Sequence, residues 1–199
     1  MTAAAKSRSY HHGDLPAALL RATAEAIDDS GVSSLSLREV ARRAEVSHGA
    51  PAHHFGDKAG LLTALAVEGF ERFEQALIDA RDAAPPDPAA RFAATGRAYV
   101  RFADEHRAHF DVMFRPDLHR PLDPGLREAS NRAHGVLTGG VAEAQKAGYA
   151  PDADPEALAL TAWATAHGLA TLWLQGGLPS RPGKRDLPSL LDAVFGPVP

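Results

Sequence analysis

Three observations predict an all-helical protein of about nine helices. Apolar residues recur at three- and four-residue steps along several segments, and no segment alternates apolar with polar residues as a half-buried strand would. The dipeptides Asp87-Pro88, Asp123-Pro124 and Asp154-Pro155 each place an N-cap residue before a proline at the first helical position, so each marks a helix start. Between Ser36 and Phe55, two short helical patterns are separated only by Glu45 and Val46, the layout of a helix-turn-helix.

In chain order, residues 1 to 13 read either as an arm that reaches DNA with Lys6, Arg8, Tyr10, His11 and His12 or as a disordered terminus. Asp14 is placed to cap a first helix with Leu19, Leu20, Thr23, Ala24 and Ile27 on its apolar face, and Gly31 suits the position just past its end. Ser36 and Glu39 form a capping-box pattern that opens the second helix, whose Leu37, Val40, Ala41 and Ala44 share a face. Ser47 is a second N-cap candidate. In the helix it would open, Ala50, Pro51 and Phe55 can face inward. His48, Gly49, Ala52 and His53 leave the other side small and polar, as a helix entering a major groove requires. Pro51 falls in the first turn, where at most one backbone bond is lost.

A long helix from Lys58 to about Ala83 carries Leu61, Leu62, Leu65, Phe70, Phe73 and Leu77 on its inner face. Pro85 and Pro86 end it. Further helices are predicted from Asp87 to His106, from Ala108 to Phe114 and from Asp123 to about Gly148. The segment from Asp154 to about Gln175 is apolar almost all round, which a monomer of this size has difficulty burying. A partner chain solves that problem, so this helix and the short last one are expected to form a two-fold interface. The residues expected there are Leu169, Leu172, Trp173, Leu190, Val194 and Phe195.

Composition narrows the function classes. The chain has 199 residues, enough for a sizeable core, and no cysteine, which excludes disulfides, thiolate metal sites and cysteine nucleophiles. Its start lacks the apolar stretch of a signal peptide and no uninterrupted apolar run suggests a membrane span, so a cytoplasmic location without membrane association is expected. The net charge is −4, but residues 1 to 58 balance seven Lys/Arg against seven Asp/Glu and hold five of the ten histidines. DNA binding would therefore depend on local placement of Lys6, Arg8, Arg38, Arg42, Arg43 and Lys58 rather than on a basic domain.

The residues V-S-H-G-A-P-A-H-H-F-G-D-K-A-G-L-L, following L-R-E-V-A-R-R-A-E, resemble the DNA-binding domain of the TetR family of bacterial transcriptional regulators, over roughly residues 10 to 75. The stretch W-A-T-A-H-G-L-A-T-L-W resembles the second-domain signature of the WHG subgroup, carried by Trp163, His167 and Gly168. The resemblance implies an N-terminal three-helix helix-turn-helix domain with its arm (residues 1–57) and a helical ligand-binding and dimerisation domain (residues 58–199). It implies a ligand-responsive regulator, usually a repressor, partnered by a double-stranded DNA operator, a second copy of itself and an unidentified small-molecule effector. Where the family usually carries a tyrosine that contacts a DNA phosphate, this chain has Ala52.

The DNA-contact candidates are Ser36, Ser47, His48, Gly49, Ala52, His53, His54 and Lys58, with Arg42 and Arg43 beside them. Serines at helix N-termini can donate to phosphates, and His48 and His53 can reach base edges. His54 can equally be a buried or capping residue, and the arginines a solvated face. For a ligand pocket the candidates are Phe73, Tyr99, Phe102, Phe110, Met113, Leu137, Trp163 and His167, although aromatics at helical spacing also make plain core. His167 is expected to satisfy a neighbouring helix rather than a ligand. His106 and His109, with Asp104, Glu105, Asp111 and His119 nearby, flank a helix break and lack a second ligand pair, so neither a metal nor a cofactor is expected. No H-E-x-x-H, G-x-S-x-G, Walker-type or G-x-G-x-x-G sequence occurs. The alternatives are an interaction protein that has lost operator binding and, more remotely, a helical enzyme.

Overall fold

The computed structural model describes residues 15–178 and 186–196; residues 1–14, with the expected arm and the Asp14 cap, and residues 179–185 and 197–199 lie outside the described residues. Within them the regular elements are nine α-helices and one 3₁₀ turn, and there is no strand. The helices are α1 (Leu15–Ser34), α2 (Leu37–Arg43), α3 (Ala50–Phe55), α4 (Lys58–Ala83), α5 (Pro88–Glu105), α6 (Arg107–Met113), α7 (Pro124–Lys146), α8 (Pro155–Leu174) and α9 (Leu187–Phe195).

The caps explain most of these starts. The carboxylates of Asp57, Asp87, Asp123, Asp154 and Asp186 accept from the backbone N–H three residues on, and in the last four cases a proline occupies the first turn. Gly31, with φ 76°, breaks α1 before a final turn through Ser34. Ser36 caps α2 by accepting from the Glu39 N–H at 3.2 Å. The reciprocal half of the capping box is not made. The Glu39 carboxylate instead takes hydrogen bonds from Arg42 and Arg43 at 2.7–2.9 Å.

Ser47 is not the cap of α3. The chain makes one more turn, closed by Ala50 N–H to Ser47 carbonyl at 3.0 Å, and α3 starts from Gly49 with no side-chain cap.

Two cores result. The first joins α1 and α2 to the beginning of α4 (Leu61, Leu62, Leu65, Ala66) and to Ala108 and Val112 of α6. The second joins the rest of α4 (Phe70, Phe73, Leu77) to α5, α7, α8 and α9. Thus α4 crosses from one core into the other, and α6 lies between them.

Candidate nucleic-acid interface and ligand cavity

The turn before α3 is tight. Glu45 adopts φ 54°, a left-handed conformation that non-glycine residues take at a cost of roughly 1–2 kcal/mol. Val46 N–H returns to the Ala41 carbonyl at 3.0 Å, closing that turn. Pro51 is buried and Ala50 and Phe55 half-buried, while Ser47, His48, Gly49, Ala52, His53 and His54 are all exposed. The predicted contact residues in and just before α3 are thus all open to solvent. His54 is exposed with them, not buried.

The flanking cations are held differently. Arg42 is exposed and paired with Glu39. Arg43 is largely covered and bridges Glu39 and Asp29 at 2.8 and 2.7 Å, locking α2 to α1. Lys58 is half-buried and donates to the Val32 carbonyl at the end of α1, 3.0 Å away. An ammonium has three donors, so this bond leaves Lys58 able to reach a phosphate.

A contact that the sequence did not suggest ties this head to the second core. Arg120, in the loop between α6 and α7, donates from one guanidinium nitrogen to the Phe55 carbonyl (2.8 Å) and to the Asp57 carboxylate (3.2 Å). Its backbone N–H donates to Thr63 Oγ1 at 2.9 Å. The guanidinium lies so near α4 that a side chain at Gly60 would overlap both it and the Phe55 carbonyl. The Gly60 N–H and, next, the Arg120 charge hold the Asp57 carboxyl below its ordinary range.

Between α4, α5, α7, α8 and α9 lies a cavity of about 650 Å³. That is the size of a small-molecule site. Of the eight pocket candidates, Phe73, Tyr99, Leu137 and Trp163 line it. The other four do not: Phe102, Phe110 and Met113 are buried in the core behind it. His167, the fourth, is bonded to Tyr99 Oη through Nδ1 at 2.8 Å. Trp163 Nε1 donates to the same hydroxyl at 3.3 Å. Burial pushes the His167 imidazolium below its ordinary pKa, favouring a neutral ring that accepts on Nδ1. The pocket candidates left out Phe92, Phe114, Asn131, His134 and Tyr149, which also line the cavity. Asn131 and His134, three apart on α7, had the only signal available in advance, two polar side chains facing the same way.

Two models of protein families match. Residues 19–65 match the bacterial regulatory proteins of the tetR family, and residues 92–194 match the tetracyclin repressor-like C-terminal domain. The chain belongs to the TetR family. It is 31% identical over 177 residues to the HTH-type transcriptional regulator BetI of Burkholderia cenocepacia, covering 83% of this chain and 84% of that one. Among solved structures, a Rhodococcus sp. RHA1 protein of unknown function superposes with TM-score 0.81 at 38% identity, covering 95% of both chains. FadR of Bacillus subtilis, solved in complex with stearoyl-CoA, shares the fold with TM-score 0.70 at 18% identity, covering 90% of this chain and 95% of that one. The TetR-family C-terminal match includes Trp163, His167 and Gly168.

The six residues expected at a TetR-type dimer interface are divided by the structure. Leu172 and Val194 are exposed and Leu169 is half-buried. Leu190 is buried inside the protomer. Trp173 Nε1 donates to Asp104 of α5 at 2.9 Å. Val194 and Phe195 line the cavity, with the Phe195 ring against Gly96. The outer side of α8 also exposes Leu160. This helix of 20 residues is long and apolar enough to cross a membrane by length and composition only. Its inner side packs on α5 and α7. Among the described residues no group of three His, Asp or Glu is arranged to hold a metal, and His106 and His109 stand 6.0 Å apart between ring centres.

Proposed function

We propose that this TetR-family regulator is a homodimeric repressor, acting in the cytoplasm, which a small-molecule effector releases from a near-palindromic operator. Two copies of α3 would enter successive major grooves. His48 and His53 would lie toward base edges, and Ser36, Ser47, Arg42 and Lys58 toward phosphates. In this reading residues 1–57 form the DNA-binding unit and residues 58–199 the effector-binding and dimerisation unit. The dimer would form through α8, where the exposed Leu160 and Leu172 need cover.

The observation that carries the proposal is a cavity and an exposed recognition helix at separate places, joined by two physical connections. One is α4, whose ends sit in different cores. The other is Arg120, which links the loop leading into cavity-lining α7 to the last carbonyl of α3. An effector that fits one arrangement of the bundle better than another shifts α3 through these links; affinity alone, equal in both, shifts nothing. That the FadR of Bacillus subtilis was solved with stearoyl-CoA supports a cavity used for ligands in this fold.

The test is selection of bound duplexes from a randomised DNA library by the purified protein at fixed moderate salt. An enriched inverted repeat is expected, with light scattering giving a dimer. A folded dimer that enriches nothing would favour an interaction protein that has lost its operator, with Ala52→Tyr as the rescue to try.

A further inference from the structure

The wall of the cavity is uniform in one respect: among the described residues, no Asp, Glu, Lys or Arg lines it. Most of its polar atoms are already occupied. The hydroxyls of Thr95, Ser130, Thr161 and Thr165 donate to carbonyls of their own helices, and Tyr99 serves His167 and Trp163. The exceptions are exposed. Asn131 and His134, one turn apart on α7, have no side-chain hydrogen-bond partner among the described residues, nor has the Tyr149 hydroxyl further along. The lining is also long, because it follows α7 from Ser130 to Ala144, roughly 21 Å of helix at 1.5 Å per residue. A buried charge without a partner is strongly disfavoured, whereas every apolar atom placed against this wall leaves water.

From this we infer that the cavity takes an amphiphile with a long hydrocarbon body, whose hydrogen-bonding head stays at the exposed Asn131–His134 edge. The head must accept or donate a hydrogen bond, as a carboxyl, an ester or thioester carbonyl, or a hydroxyl does. A quaternary ammonium offers neither, and among the described residues no carboxylate lines the cavity to pair with it. The inference rests on reading the cavity as the effector site and specifies what enters it.

The test is calorimetric titration of the full-length protein with octanoic, decanoic, dodecanoic and tetradecanoic acids below their micellar concentrations. 1-Dodecanol and dodecyltrimethylammonium serve as head-group controls. Affinity is expected to rise about fourfold per methylene, the equivalent of about 0.8 kcal/mol, until the cavity is full. The alcohol should bind and the ammonium should bind at least tenfold more weakly than the acid. Ala93→Leu and Ala162→Leu, which extend into the cavity from α5 and α8, should move the plateau to shorter chains. Asn131→Ala with His134→Ala should lower affinity by a constant factor along the whole series, since the body is untouched.

A flat chain-length series, or an ammonium that binds as well as the acid, overturns the inference. Both results come from the unmodified protein, so they decide the matter even if the leucine variants fail to fold. A series that climbs as described, with an operator complex indifferent to the same ligands, supports the ligand class and overturns the effector reading alone.

Discussion

The two cores of this protein are filled to different degrees. In the head, Leu19, Val40, Leu61, Leu62 and Leu65 are at most 1% exposed. The second core buries Val100, Ala103 and Leu191 as completely, yet surrounds a void of about 650 Å³. Of the 20 residues of α8, only Ala159, Ala166 and Ala170 are buried. The head must present α3 in one geometry, and close packing supplies that rigidity. The bundle can leave space unfilled because its stability is spread over long helices, and the space can then be filled from outside.

The sharpest way to break this comparison is to make one substitution in both places. Leu65→Ala in the head is expected to cost about 2–5 kcal/mol, since it opens a cavity in a closed core. Leu137→Ala removes atoms that already face a void and should cost less than about 1 kcal/mol, because little packing is lost with them. Chemical denaturation of the two variants gives both numbers. Equal costs would mean that the space is closed in solution.

The connection between the regions is the next target. Arg120→Ala removes the bonds to Phe55 and Asp57 while leaving both cores intact. Operator affinity without effector should change little. The drop in affinity on adding effector should shrink by roughly tenfold, within the usual range of coupling energies. An undiminished drop would assign the whole coupling to α4.

A smaller effect is expected at Lys58. Each phosphate contact contributes about 0.9 to the slope of log affinity against log salt on B-DNA, so Lys58→Ala should flatten that slope by about one unit, irrespective of operator sequence. Loss of its bond to Val32 also loosens the α1–α4 junction slightly. A stability loss with an unchanged slope would make Lys58 a purely structural clamp.

The same contrast explains what could be read from the sequence. Helix starts are local, so Asp87-Pro88, Asp123-Pro124 and Asp154-Pro155 each placed one within a residue. The head is short-range too, and the exposure of His48, Gly49, Ala52 and His53 followed from spacing. Failures came where several partners competed. Ser47 lost the capping role because one further turn intervened, and Glu39 chose two arginines over its capping bond. In the bundle, periodicity tells which way Phe102 and Tyr99 point but not whether the helix face they share meets a neighbour or a void. Arg120 lies in a loop, where no period exists to mark it.

The smallest effect concerns Glu39 and tests how much of the head depends on that pairing. Hydrogen bonds from Arg42, then Arg43, bring its carboxyl from an ordinary 4.5 down to about 2. The folded head therefore holds this group ionised under conditions where the unfolded chain protonates it. Its contribution to stability is complete above about pH 4.5 and disappears as the pH falls through about 2. Asp57 and Asp186 are lowered as well, so acid sensitivity of the whole protein does not isolate Glu39. The difference between the unmodified protein and Glu39→Gln does. Thermal melts of the two should be separated above pH 4.5 and converge toward pH 2, with only a modest separation because the group is solvent-exposed and screened. A constant separation across that range would mean that the arginines hold Glu39 by shape and not by charge, and Arg43 would then anchor α2 through Asp29 alone.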